Sequence, residues 1–190
     1  MPELRKFSPQ RGFKIEGIIE TLCNTCTNIH QLEFAGNQRV PLHILIQILA
    51  AFPNLAHLKI PVSKVVDHLK FFKCLITLNF TEYYLDIDQN VLSIIADDSS
   101  MLQHLNMGSC TFPDQDIKYF LEKKKYQLLS LSMMCYISTL MYVSLTECTN
   151  LEYLEYENFN YDLPNMYVHL FSKLSNLRNL SISNYGEENT

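Results

Sequence analysis

The chain is poor in glycine, with five in 190 residues, which leaves little room for a Gly-rich loop of the kind that cradles phosphates. It also lacks a long unbroken apolar run. The longest, residues 40–53, is interrupted by His43 and Gln47 and is too short to cross a bilayer. Behind the charges of Met1-Pro2-Glu3-Leu4-Arg5-Lys6-Phe7 there is no apolar core, so no secretory leader is expected. A basic surplus is missing as well: 15 Lys and Arg stand against 20 acids, a net charge of −5. Nucleic-acid binders take most of their affinity from neutralising phosphates, so a neutral-to-acidic chain without a basic stripe is a poor candidate. Nucleic acid and membrane are therefore not expected as partners.

What is present is a short apolar pattern, apolar-x-x-Leu-x-apolar, that recurs seven times. It starts at Ile29, Leu55, Leu75, Leu102, Leu128, Leu151 and Leu177, at offsets of 26, 20, 27, 26, 23 and 26 residues. Ile29-His30-Gln31-Leu32-Glu33-Phe34 and Leu102-Gln103-His104-Leu105-Asn106-Met107 are typical examples. A period in the twenties with this motif signals a leucine-rich repeat solenoid, an architecture that has a binding face before it has any chemistry. Within each unit the Leu and the apolar residue two places on share one face of a short strand. Stretches with helical apolar spacing lie between units, at 42–52, 65–72, 91–96, 117–121 and 166–174. Pro41, Pro113 and Pro164 stand at or near their starts, where a missing N–H is tolerated. The predicted fold is an α/β right-handed horseshoe of about seven repeats, with a parallel sheet on the concave face and helices on the convex face.

The expected organisation is a loose tail over 1–12, the repeat domain over 13–186 and a short tail over 187–190. A helical stretch from 13 to about 26 enters the first strand and serves as a partial cap. The last strand is expected to be an open edge, which either further chain or a partner must cover.

The six cysteines follow the repeat rather than a disulfide framework. Cys26 and Cys148 each precede a repeat start by three residues, Cys110 is a ninth position and Cys135 an eighth. They read as small buried hydrophobes in a reducing, intracellular compartment, cytoplasmic or nuclear. The sequons Asn79-Phe80-Thr81 and Asn179-Leu180-Ser181 fall on predicted strands and read as accidental.

These residues resemble the leucine-rich repeat superfamily, and most of all the cysteine-containing repeats of F-box/LRR proteins. The unit that carries the likeness best is Leu102-x-x-Leu105-x-Met107-x-x-Cys110, followed by Asp114 or Asp116, Ile117 and Phe120-Leu121. The approaches Cys26-Thr27-Asn28-Ile29 and Cys148-Thr149-Asn150-Leu151 share the family's Cys-x-Asn-apolar form. The ninth position holds Asn37 and Cys110, but the sequence departs from the pattern at the others, which hold Ser63, Tyr83, Tyr136, Phe159 and Tyr185. No F-box is visible ahead of the repeats. The resemblance implies substrate capture for a cullin-type ubiquitin ligase, whose adaptor would dock on that missing F-box. The alternative is a free-standing repeat adaptor or scaffold unrelated to ubiquitin.

The residues flanking each strand Leu point away from the core, and they supply the candidate site. From these we take His57, Lys59, Asn79, His104, Asn106, Ser132, Tyr153, Glu155 and Glu157 as contacts for a protein partner. The centre of this wall is polar and uncharged, whereas residues 147–190 hold seven acids against Lys173 and Arg178. Tyr153, Glu155 and Glu157, with Tyr161 nearby, form the favoured patch, since tyrosines are enriched among residues that dominate binding. The plainer reading is that Tyr156, Phe159 and Tyr161 fill the repeat core while the acids keep the rim soluble.

No metal, cofactor or catalytic group is expected. His57 and His104 occupy equivalent places two strands apart, roughly 9–10 Å between Cβ atoms and too far to share one zinc. Cys23-Asn24-Thr25-Cys26 is a lone CxxC without a second ligand pair. Ser130 and Ser132 neighbour His104, but no acid is expected beside them to complete a hydrolytic set. Lys123-Lys124-Lys125 reads as a charge cluster favouring a helix C-terminus, with nuclear import as the sharper reading.

Overall fold

The computed structural model describes residues 4–9, 15–26, 28–34, 40, 42–60, 73–80, 83–86, 90–135, 137–158 and 164–184. Each of the seven motif segments forms a strand: β2 (Gln31–Glu33), β3 (His57–Ile60), β4 (Thr77–Phe80), β6 (His104–Asn106), β8 (Ser130–Met133), β9 (Tyr153–Asn158) and β10 (Asn179–Asn184). All pair in parallel within one sheet, in the order β1-β2-β3-β4-β6-β8-β9-β10, where β1 is Lys6–Phe7. Between them run helices α1 (Ile15–Thr25), α2 (Leu42–Ala51), α3 (Val91–Asp98), α4 (Asp114–Lys124), α5 (Thr139–Thr146) and α6 (Pro164–Lys173). Two short strands, β5 (Tyr83–Asp86) and β7 (Ser109–Thr111), make a small second parallel sheet.

Register explains why the motif works. Leu32, Leu58, Leu78, Leu105, Leu131, Leu154 and Leu180 stand side by side across adjacent strands. The first six are at most 1 % exposed, and Phe34, Ile60, Phe80, Met107, Met133 and Tyr156 form a second buried rung. Helix residues such as Ile48, Ile95, Phe120, Met141 and Leu170 close the same core. The sheet thus hides one face under the helices and leaves the other open.

The ladder begins one residue before each strand. The carbonyls of His30, Ala56, Ile76, Gln103, Leu129 and Glu152 each accept two backbone N–H groups from the next unit. Arg5 does the same for His30 and Gln31, so the expectation of a loose tail over 1–12 does not hold at Lys6–Phe7. Phe7 sits in register with Leu32, which makes Leu4-Arg5-Lys6-Phe7 a degenerate further unit, 25 residues before Ile29. Its Phe in place of Leu, and Pro9 where the last apolar residue belongs, hid it from the pattern.

Residues just ahead of a motif stitch neighbouring units together. Asn150 Nδ2 donates to the Tyr126 carbonyl at 2.7 Å, Asn176 Nδ2 to Thr149 at 2.9 Å and Gln127 Nε2 to Leu102 at 2.7 Å. The Asn of the Cys-Thr-Asn-Leu approach is thus a cross-unit donor, and its Cys148 is fully buried. Burial pushes that thiol up to about 12, as befits an inert hydrophobe. Cys26 and Cys110 are buried too, whereas Cys23 and Cys135 are only half-buried and Cys74 is exposed, so these three depart from the expected burial.

Helices fall at four of the five predicted stretches; the fifth, 65–72, lies outside the described residues. The α5 helix was not predicted, because Leu140, Met141, Val143 and Leu145 spread around its axis and leave no clear stripe. Its start is marked by Ser138, whose Oγ accepts from Met141 N at 3.3 Å. At Gly108 the chain turns with φ of 56°, a left-handed conformation that glycine takes without strain.

Candidate functional site

The open face of the sheet carries two rows of side chains, set by the same register that aligns the leucines. One row runs Lys6, Gln31, His57, Thr77, His104, Ser130, Tyr153, Asn179. The other runs Glu33, Lys59, Asn79, Asn106, Ser132, Glu155, Ser181. Every predicted contact residue lies in these rows except Glu157, which follows on β9 opposite Ser183; its side chain is outside the described residues, as is Tyr161. Most of the row residues are half-buried, shielded by their neighbours; Ser132 is buried, and Lys6, Lys59, Asn179 and Ser181 are exposed.

The structure gathers these residues into two separate groups. On β3 and β4, His57 Nδ1 and Thr77 Oγ1 are 3.0 Å apart. On β8 and β9, Ser132 Oγ donates to Glu155 Oε2 at 2.7 Å and the Tyr153 hydroxyl donates to the same oxygen at 3.1 Å. Four strand steps at about 4.8 Å separate β3 from β9, so Lys59 and Glu155 stand roughly 19 Å apart. An extended protein segment of about six residues is long enough to reach both groups.

Sequence reasoning placed no acid near the serines. That was incorrect, because the parallel register sets Glu155 directly beside Ser132. The pair still does not form a hydrolytic set: the Ser132 proton is given to a carboxylate. No hydrogen bond among the described residues joins His104 to either serine. Asn106 is partly committed to local structure, since its Oδ1 accepts from Gly108 N at 2.7 Å.

Two contributors were missed. Lys6 Nζ meets Glu33 Oε1 at 3.1 Å, Gln31 Nε2 meets the same atom at 2.7 Å, and Ser8 Oγ lies 3.5 Å from Oε2. The Lys6 ammonium is the chief reason that Glu33 is held below the usual carboxylate range. The signal that would have found them is the spacing of Leu4 from Ile29.

Titration along the face follows burial. His104 is pushed below an ordinary imidazole, first by desolvation and then by repulsion from His57, with Glu152 pulling the other way. Tyr153 is pushed up by burial and then by its bond to Glu155, so it stays a hydroxyl donor. Outside the face, the three lysines at the end of α4 are all engaged. Lys123 pairs with Asp97 at 3.5 Å and Lys125 with Glu147 at 2.8 Å, while buried Lys124 donates to the Ser99 carbonyl that ends α3.

No protein-family model matches the chain, and no curated protein does. Solved structures do match. One is Leiomodin-1 Actin-Binding Site 2 (ABS2), with a TM-score of 0.52 over 86 % of this chain and 89 % of that one, at 15 % identity. A likeness at that identity concerns the fold. Together with the in-register leucines and the open eight-stranded parallel sheet, it supports a leucine-rich-repeat-like fold. No helix among the described residues is long and apolar enough to cross a membrane.

Proposed function

We propose that the chain is a protein-recognition module without catalytic chemistry, built as a right-handed solenoid of about seven repeats and gripping a protein on its open sheet face. The observation that carries this reading is the pair of in-register polar rows, spanning more than one side chain or small ligand can occupy. A rigid sheet holds those groups in place before a partner arrives, which lowers the entropic cost of binding. The structural relative is itself named for binding actin, which favours a protein as the class of partner.

The finer reading is the substrate-binding repeats of an F-box/LRR-like receptor of a cullin-type ubiquitin ligase, working inside the cell. Its support is the sequence likeness and the burial of Cys26, Cys110 and Cys148 at their repeat positions. The test is capture with the intact native protein. Recovery of the ligase adaptor and cullin supports the receptor reading, and their consistent absence leaves a free-standing adaptor or scaffold. The broader reading is tested with a captured partner and the variant Lys59→Glu/Asn79→Asp/Asn106→Asp. Binding should fall sharply, while Val143→Glu and Val168→Glu on the exposed helix side leave it unchanged. Retention by the face variant with loss by the helix variants would overturn it.

A further inference from the structure

We infer that the Glu155 carboxylate is the seat for a lysine ammonium presented by the bound protein; this rests on the sheet-face reading and adds the chemistry of one contact. Five acids elsewhere on the described surface have cations of their own, whereas Glu20, Asp98, Asp114 and Asp116 stand outside the sheet face without one. Glu33, Asp97, Glu122, Glu147 and Glu152 pair with Lys6, Lys123, Lys118, Lys125 and Arg178 within 4 Å. Glu155 is half-buried and forms no such pair among the described residues. Its lateral neighbours in register are Ser132 and Ser181, and its neighbours along the strand are Tyr153 and Glu157, none of them basic. Arg178, the nearest arginine in sequence, is paired with Glu152 at 3.7 Å. A partly desolvated carboxylate held by two neutral donors is incompletely compensated, and a cation from outside completes it.

The oxygen count selects the cation. Oε2 already accepts from Ser132 and Tyr153, which occupies its two lone pairs. A side-on arginine fork needs both carboxylate oxygens, so it is blocked here. An ammonium is a point charge with rotatable donors and needs only Oε1. The occupant is therefore a lysine of a partner segment lying across β8 to β10.

The experiment uses the full chain and three probes: pentalysine, pentalysine acetylated on every Nζ, and pentaarginine. Binding is read from the NMR signals of Ser132, Tyr153 and Glu155. Pentalysine should shift these signals, the acetylated peptide should not, and pentaarginine should bind more weakly. Glu155→Gln keeps an acceptor for both hydroxyls while removing the charge, and should weaken pentalysine at least about fivefold, as for loss of an ion pair worth about 1 kcal/mol. Tyr153→Phe frees a lone pair on Oε2 and should narrow the gap between pentaarginine and pentalysine. Equal binding by the acetylated peptide, undiminished binding by Glu155→Gln, or shifts confined to other acids would overturn the inference. Pentaarginine binding as tightly as pentalysine to the unaltered chain would overturn the choice of lysine. A captured partner lost with the face variant above but retained by Glu155→Gln would sink the seat and leave the sheet face standing.

Discussion

Leu105 and Leu180 hold the same place in their repeats, one in the middle of the sheet and one at its end, and truncating each to alanine isolates what stacking contributes. Leu105 is 1 % exposed and is flanked in register by Leu78 and Leu131. Its removal forfeits about 1.5–3 kcal/mol of transfer energy. The hole is walled on both sides by strands that cannot close it, so a cavity term brings the total to about 3–4 kcal/mol. Leu180 is 42 % exposed, and β9 is the only strand beside it among the described residues. Little more than half its transfer term is at stake and no closed cavity forms, so Leu180→Ala should cost about 1 kcal/mol. Urea unfolding followed by circular dichroism gives the two differences, and amide exchange in β6 and β10 localises them. Equal costs would refute the reasoning, because they would mean that β10 is packed as tightly as an internal strand.

Two further expectations concern protons. His104 is held below the ordinary imidazole range, so the unfolded chain binds more protons, and stability should fall as pH drops through about 6.5. His57→Gln removes the repulsive neighbour and should move the His104 midpoint upward in an NMR titration; an unmoved or lowered midpoint refutes that cause. Buried Lys124 is pushed below its usual value by desolvation, so the folded chain gives up its proton first as pH rises. Stability of the native chain should therefore increase relative to Lys124→Met as pH rises towards the ordinary lysine value of about 10.4, and parallel curves would refute the reading.

Among the described residues β10 is the last strand of the sheet. Leu180 and Ile182 are each 42 % exposed although their counterparts in the six preceding motif strands are at most 1 % exposed. The strand Asn179–Asn184 has no lysine, proline or bulge to discourage pairing, which is how exposed edges are commonly protected. The β1 edge is the opposite case: only two residues long, with Lys6 on it, it is a poor template for another chain.

The strands were legible in the sequence because a repeat imposes a local rule. Each Leu-x-apolar pair must face one core, and alternation along a strand then assigns its flanking residues to the other side. His57, His104, Tyr153 and Glu155 could be placed on the open face without coordinates for that reason. Contacts between units followed no such rule. That Glu155 accepts from Ser132 depends on which strands are neighbours and on a register shared by residues 23 apart. That Lys124 is buried depends on the end of α3 lying beneath α4, and its type alone argues for solvent. The degenerate unit around Phe7 needed its backbone ladder, since hydrogen bonds to Arg5 constrain the chain whatever side chains it carries. Periodicity by itself determined which way each side chain faces; only the tertiary structure decided which of them meet, because meeting is a property of neighbouring units and periodicity describes one unit at a time.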